Sequence, residues 1–247
     1  MIGVALSLLI SLGTGARGAQ GRQAHDRDIT TRIIDLPVTL RLPVDNCTVP
    51  GVAMFIARKL RIPAGIENLP GCTFSDKPPN GDSIPLRAMT VADAMNTLVG
   101  ADARYYWTES DGVIVVRPLA AWTDARHFLH VTTNPLHLDK ANIGEALSAA
   151  VAALLTRPDR GQSALIASGV EEITLDTGPL SVVEALNAIV RANGNSSWRV
   201  EYCRGERLPQ FATIWINTFD DRGLGTPLGS WTRDASGKAV DPCRAPQ

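Results

Sequence analysis

Apolar and polar residues follow two rhythms along this chain of 247 residues. Alternation over residues 37–42 (PVTLRL) predicts a β-strand, because successive side chains of a strand point to opposite faces. Elsewhere apolar residues recur three or four positions apart, which predicts helices with one buried face. The two such sets in the first half are Val49, Val52, Ala53, Ile56 and Leu60, and Val91, Ala94, Met95 and Leu98.

The sequence of the second predicted helix recurs in the second half of the chain. Thr90–Trp107 (TVADAMNTLVGADARYYW) aligns without a gap with Ser181–Trp198 (SVVEALNAIVRANGNSSW), and six of the 18 positions are identical. An internal repeat indicates architecture before it indicates chemistry. The shared positions have the character of cap and core residues, so function is to be sought in what the two halves do not share.

Helix starts and one tight turn are marked locally. Three pairs have the capping-box spacing, in which a side chain at the helix start and an acidic residue three positions later satisfy each other's backbone groups: Thr90 with Asp93, Asn142 with Glu145, and Ser181 with Glu184. Ser110-Asp111-Gly112 stands between two β-prone runs and predicts a hairpin.

The order of elements predicts an α+β fold made of two tandem βαβ-βαββ units, each a small mixed sheet with two helices packed on one face. AGIEN at 64–68 and SGVEE at 168–172 are expected as corresponding return strands. The predicted segments are a signal peptide (1–18), a disordered lead-in (19–32), the first unit (33–118), a linker (119–126), the second unit (127–219) and an irregular tail (220–247).

This series of a capped helix, a GIE or GVE strand, an I-x-L strand, the motif [ST]-V-x-[DE]-A-[ML]-N and two final strands resembles the secretin and TonB short N-terminal domain. The resemblance covers 33–118 and, more loosely, 127–219. It implies the fold above, a periplasmic setting and contacts with other proteins, and it implies no catalytic residues. Members of that family carry one copy joined to a barrel, whereas this chain has two copies, so receptor or secretin function does not carry over.

The N-terminus and the charge balance bear on location. Residues 2–13 form a short apolar run followed by small residues, which is typical of a secretory signal peptide, although an N-terminal helix or a short membrane anchor is the alternative. The net charge of −1 offers no basic field for nucleic acid. No stretch reaches the ~20 apolar residues that a membrane-spanning helix needs, so we expect no transmembrane segment after signal removal.

Four cysteines accompany this export signal: Cys47, Cys72, Cys203 and Cys243. None forms a CxxC pair, which argues against a zinc or redox motif. In an oxidising compartment two disulfides are expected, and we favour Cys47–Cys72 with Cys203–Cys243 because each pair stays within one half. Four buried free thiols in a cytoplasmic protein are the alternative.

Candidate chemistry is sparse. His127, His130 and His137 have the side chains for zinc, but His127 and His130 are three apart in a predicted strand and would point to opposite faces. Common phosphate-binding and hydrolase motifs do not occur. We therefore predict no catalytic, cofactor-binding or metal-binding residues. Tyr105 and Tyr106 are the candidate contacts for a partner or a sugar.

The sequence thus predicts an exported, periplasmic or secreted, non-enzymatic module that binds another envelope protein. One alternative is a protein that binds a small molecule or a glycan in the groove between the two units, where pockets often form. The second alternative is an enzyme of unknown class.

Overall fold

The computed structural model describes residues 29–42, 44, 47–72, 82–155, 164–168, 171–202 and 212–219. The predicted signal peptide and tail, together with Cys203 and Cys243, lie outside the described residues. The described residues form an α+β fold of five α-helices and ten strands, which confirms the predicted class.

The same order of elements occurs in both halves of the chain. The first half contains β1 (Thr39–Arg41), α1 (Thr48–Leu60), β2 (Ala64–Glu67), β3 (Ser83–Pro85), α2 (Val91–Ala101), β4 (Tyr105–Ser110) and β5 (Val113–Pro118). After a short helix α3 (Leu119–Thr123), the second half contains β6 (His137–Asn142), α4 (Ile143–Leu155), β7 (Ala164–Ser168), β8 (Glu172–Asp176), α5 (Val182–Asn193), β9 (Ser196–Tyr202) and β10 (Ala212–Thr218).

The two halves share one sheet instead of forming two small ones. Its six strands run in the order β4-β5-β2-β9-β10-β7, so each half supplies three neighbouring strands. β2 of the first half lies parallel to β9 of the second, with Gly65 opposite Trp198. We call this junction the seam. The prediction of a separate sheet for each unit is therefore wrong, because these two strands pair across the halves. The remaining strands form two-stranded sheets, β1 with β3 and β6 with β8.

Helices cover both faces of the shared sheet. Along β5, Ile114 and Val116 belong to a core that α1 and α2 complete, whereas Val113 and Val115 belong to a core that α4 and α5 complete. This alternation follows from the period of two along a strand. It explains why β5 has no polar face and why all six of its residues are buried. Each half therefore places its helices on the opposite face of the sheet from the other half.

The local signals for helix starts and for the hairpin are confirmed. Thr90 and Ser181 each accept a hydrogen bond from the backbone N–H three residues later, and Ser181 with Glu184 completes a capping box. Asn142 does the same for α4, with Glu145 returning the bond. Asp111 and Gly112 both adopt positive φ, 52° and 83°, as the two-residue turn between β4 and β5 requires.

Three expectations differ from the structure. Strand β7 ends at Ser168, so the expected return strand at 168–172 is misplaced by several residues. The linker carries helix α3, and residues 128–130 form a 3-10 helix where a strand was expected. Ile29–Thr31 form another 3-10 helix with Ile29 buried, inside the stretch predicted to be disordered. Among the described helices, none has the length and apolar character needed to cross a membrane.

Candidate functional site

A cluster of charged and polar side chains is buried where the two halves meet. Glu67 ends β2, and Arg117 lies on the neighbouring strand β5; both side chains have no exposed surface. Arg117 Nε donates to a Glu67 carboxylate oxygen at 2.7 Å. Tyr202 of β9 donates its hydroxyl to the other oxygen of Glu67. Together with His127 and His130 these residues form what we call the seam cluster.

The two histidines extend the cluster around the guanidinium group of Arg117. His127 Nδ1 lies 3.2 Å from Nη2, and His130 Nε2 lies 3.3 Å from Nη1. Since Arg117 can only donate, each of these ring nitrogens accepts. The hydrogen atom of each ring is thereby assigned to its other nitrogen, which faces Glu67 Oε1 at 3.0 Å in His127 and the carbonyl of Asp124 at 3.0 Å in His130.

The protonation of the cluster follows from these contacts. Burial raises the pKa of Glu67, but the hydrogen bond from His127, the charge of Arg117 and the hydroxyl of Tyr202 outweigh burial, so that its pKa is lowered and it stays ionised. Burial also lowers the pKa of His130, and the charge of Arg117 lowers it further. Burial and the charge of Glu67 raise the pKa of Tyr202, which keeps its hydroxyl protonated.

The polar side chains of the seam cluster contact one another and the protein backbone. A general base needs a ring nitrogen that faces a substrate, yet both ring nitrogens of His127 and of His130 are engaged with protein atoms. The geometry is that of a buried tie between strands: Glu67 and Arg117 come from the first half, and Tyr202 comes from the second. The expectation that His127 and His130 point apart is wrong, because the 3-10 helix turns both rings toward Arg117.

His137 lies outside the cluster. It sits on β6 beside Asp176 of β8, with Nδ1 2.8 Å from a carboxylate oxygen, and both side chains are mostly exposed. The three histidines of the sequence therefore do not converge. Within the part of the chain that the structure describes, no group of three or more His, Cys, Asp or Glu side chains is arranged to hold a metal ion.

The repeated tryptophan has a different setting in each half. Trp198 Nε1 donates to Asn187 at 2.8 Å, and Trp107 Nε1 donates to Asn96 at 2.9 Å. The shared asparagine and tryptophan of the repeat thus form the same bond between helix and strand. Trp198 is completely buried at the seam, whereas Trp107 is only partly buried, on the strand at the end of the sheet.

The seam buries Trp198 by means of a glycine. Gly65 lies opposite Trp198 in the parallel β2–β9 pair. A β-carbon added to Gly65 would come 2.1 Å from Trp198 Cε2, which is far inside van der Waals contact. Only glycine therefore lets the neighbouring strand pass beneath the indole ring.

Strand β4 presents its outer side as an edge. Within the described residues β4 pairs with β5 alone. The carbonyl of Arg104 accepts from Leu119 N–H on the β5 side, so the backbone groups of Trp107 and Glu109 face away from β5. Val200 holds in β9 the place that Glu109 holds in β4, and its carbonyl accepts from Asn68 N–H beside β2. We call this outer side of β4 the free edge.

The two candidate tyrosines separate. Tyr105 is 3% exposed, its hydroxyl accepts from Leu69 N–H, and burial raises its pKa. Tyr106 is 50% exposed and packs edge-on against Trp122, and the Arg117 guanidinium lies 4.9 Å from the centre of the Trp122 ring. Of the pair, Tyr106 is the one that a partner can reach.

The cysteine pair of the first half is joined: Cys47 and Cys72 form a disulfide with their Cα atoms 5.0 Å apart. This was the favoured pairing for that half. It ties the start of α1 to the chain just after β2, beside the strand that makes the seam.

Sequence analysis missed Gly65, Glu67, Arg117 and Tyr202. A partial signal existed, because Glu67 and Arg117 each stand at the end of an otherwise apolar strand, in AGIE and VIVVRP. A charge in such a run indicates a buried partner. The identity of that partner was not readable, because the paired strands are distant in the chain.

Comparison with known protein families, with curated proteins and with solved structures gives no match for this chain.

Proposed function

We propose that this chain is an exported protein-interaction module, periplasmic or secreted, whose partner adds a β-strand to the free edge. One observation carries the proposal: β4 ends the sheet with the same Asn–Trp arrangement that, in β9, is completed by a neighbouring strand. Unpaired backbone groups at a sheet edge are a ready template for such pairing.

The seam shows the same motif with a strand already paired beside it. There β2 supplies backbone partners to β9 and covers Trp198 entirely. At the free edge, the equivalent backbone groups belong to Trp107 and Glu109, and the exposed ring of Tyr106 is adjacent in the strand. The Glu109 carbonyl accepts from the Thr108 hydroxyl at 3.2 Å, and an added strand would replace that exposed bond. Aromatic side chains at a binding surface supply a large contact area at little conformational cost.

The glycan alternative placed its site in a groove between the halves. That junction is the hydrogen-bonded pair of β2 and β9, with Gly65 packed beneath Trp198, so paired strands occupy the place where that site was expected. The enzyme alternative rested on the three histidines and the acidic tail, and the tail lies outside the described residues. The seam cluster engages both ring nitrogens of His127 and of His130 with protein atoms, and His137 lies apart beside Asp176. We therefore propose strand addition alone.

Export is supported by the Cys47–Cys72 disulfide, since such bonds persist in oxidising compartments. Acid quenching of the cells, followed by alkylation of the denatured protein with a maleimide polymer, tests this part separately. Cys47 and Cys72 should remain unlabelled unless a reductant is added before the polymer. Labelling of both thiols without a reductant would place the protein in a reducing compartment and overturn export.

Strand addition is tested by photo-crosslinking in the native envelope. A benzophenone amino acid replaces Tyr106, and the covalent adduct is quantified on gels and identified by mass spectrometry. Glu109→Pro removes an outward N–H that β4 does not use with β5, whereas Glu109→Ala keeps it. The adduct should fall about tenfold with proline and stay unchanged with alanine, because the lost backbone bond and the ring clash act only on an added strand.

Both variants lose the same Glu109 side chain, which accepts from Gly112 N–H at the turn. The alanine variant therefore controls for the turn. An adduct that forms equally with both variants would show that the partner contacts Tyr106 without adding a strand, and strand addition would be rejected.

A further inference from the structure

The partner's strand has a sequence requirement that the seam makes visible. Trp198 and Trp107 stand at equivalent places, each eleven residues after the asparagine to which its indole N–H donates. The same bond to the preceding helix fixes the plane of each ring relative to its own strand. What differs is the neighbour, which is β2 beside Trp198 and none of the described strands beside Trp107.

We infer that the free edge selects a partner strand that runs parallel to β4 and carries a glycine opposite Trp107. This inference rests on the proposed function and names the chemistry of its partner. The inference rests on one distance: a β-carbon added to Gly65 would lie 2.1 Å from the Trp198 ring. A strand that paired with β4 in the same register would bring its own residue to that distance from Trp107.

The residues flanking the glycine follow from the same template. In β2 they are Ala64 and Ile66, which face the opposite core, and Glu67, which ends the strand. Trp107 packs on the face that α1 and α2 cover, so a glycine opposite it would face that side, and the flanking residues would turn to the other face, where Tyr106 packs on Trp122. In the register of the seam the residue before the glycine lies opposite the position of Tyr106. We therefore expect an apolar residue there, packed against the exposed ring of Tyr106.

The protein's own second free edge does not meet the requirement. Among the described strands β7 ends the sheet on the other side, and it pairs with β10 as β2 pairs with β5. Val116 of β5 and Ile216 of β10 hold equivalent places, because each lies opposite the repeated tryptophan. Ile66 lies opposite Val116, and Ala167 lies opposite Ile216. The residue before Ala167, which is Ile166, is therefore the counterpart of Gly65. An isoleucine cannot occupy that place beneath a fixed indole ring, so the occupant is a strand of another protein and not β7 of a second copy.

The experiment is a selection of displayed seven-residue peptides on the full chain, with the Glu109→Pro protein used to remove peptides that bind elsewhere. Peptides that bind the unchanged protein but not the Glu109→Pro protein should share a glycine at one fixed position. For a selected peptide, glycine-to-alanine substitution should weaken binding about tenfold or more, since overpacking a fixed ring is costly. A photoreactive group at its amino end should label the Tyr106 end of β4 and not the Ser110 end.

A second variant tests whether the glycine preference depends on the Trp107 ring. Trp107→Ala removes the ring while β4 keeps its backbone, so peptides selected on it should show no glycine preference. Circular dichroism establishes that this variant is folded, and Trp107→Phe serves if it is not.

The outcomes separate the two proposals. Edge-dependent peptides without a common glycine, or a glycine preference that survives the loss of Trp107, would overturn the glycine requirement and leave strand addition standing. Labelling at the Ser110 end would overturn the parallel direction. No peptide that distinguishes Glu109→Pro from the unchanged protein, together with dimers of the chain in sedimentation, would overturn both proposals in favour of self-association.

Discussion

The seam and the free edge present the same motif in two environments. At the seam, the Asn187–Trp198 pair is covered by β2, and the indole ring has no exposed surface. At the free edge, the Asn96–Trp107 pair forms an equivalent bond but stays partly exposed. The difference teaches that the motif itself does not determine burial, because the neighbouring strand and its glycine do.

The two regions also differ in polar content. Of these two regions only the seam has a fully buried ion pair, Glu67 with Arg117, and it forms hydrogen bonds with both histidines and with Tyr202. Buried charges are tolerated when they are paired and hydrogen-bonded, and they fix one arrangement because any other leaves a charge unsatisfied. The seam is therefore a permanent internal junction, whereas we propose that the free edge is completed by a partner.

The largest expected effect comes from removing the cation of the seam cluster. Arg117→Met leaves Glu67 as an unpaired buried carboxylate and removes the donors that face both histidines. The free energy of unfolding should fall by about 3–5 kcal/mol, as measured by urea denaturation. Arg126→Met is the control, because Arg126 is 92% exposed and lies 3.8 Å from Asp124, so no measurable change is expected. Equal effects in the two variants would show that the cluster does not hold the halves together.

The second effect comes from the glycine under Trp198. Gly65→Ala puts a β-carbon where the ring already lies, so either the strand or the ring must move, and we expect a loss of about 2–3 kcal/mol in the free energy of unfolding. Gly100→Ala is a matched control in α2, where an added β-carbon meets nothing within 4 Å. That variant should gain about 0.5–1 kcal/mol, because alanine favours the helix over glycine. A Gly65→Ala protein as stable as the unchanged chain would remove the basis for the glycine requirement at the free edge.

The features that the sequence predicted correctly depend on local signals. The helix starts at Thr90 and Ser181 and the turn at Asp111 depend on residues within three positions of one another, so they could be predicted. The α+β class follows from the order of such elements. The helix starts are common to both halves, and the turn at Asp111 involves β4 and β5 alone, so none of these features indicates which strand lies beside Trp198 or Trp107.

Long-range pairing accounts for what could not be predicted. β2 and β9 belong to different halves, and no local pattern indicates that Gly65 lies beneath Trp198. Glu67 and Arg117 are 50 residues apart, and Glu67 and Tyr202 are 135 apart. The histidines were assigned a strand's alternation, but residues 128–130 form a 3-10 helix, in which side chains three apart share a side.

A smaller effect compares the two asparagines directly. Asn187→Ala leaves the indole N–H of the buried Trp198 without its acceptor, and we expect a loss of about 1–2 kcal/mol in the free energy of unfolding. Asn96→Ala should lose only a few tenths of a kcal/mol, because the partly exposed Trp107 can donate to water instead. Thermal denaturation of the two variants, scanned under identical conditions, measures the difference. Equal losses would mean that the free edge is already covered in the isolated protein.

The smallest effect is a pH dependence confined to the seam. The lowered pKa of His130 means that the folded protein keeps this ring neutral, whereas the unfolded chain binds a proton near pH 6.5. Stability from this group is therefore present above about pH 6.5 and is lost as the pH falls from there toward the lowered folded pKa. Urea midpoints measured from pH 8 to pH 5 should decline in the lower part of that range. His130→Gln should flatten the decline, and His137→Gln, beside the exposed Asp176, should leave it unchanged. A decline that is insensitive to His130→Gln would assign the pH dependence to other groups and would separate the stability of the seam from the protonation of its histidine.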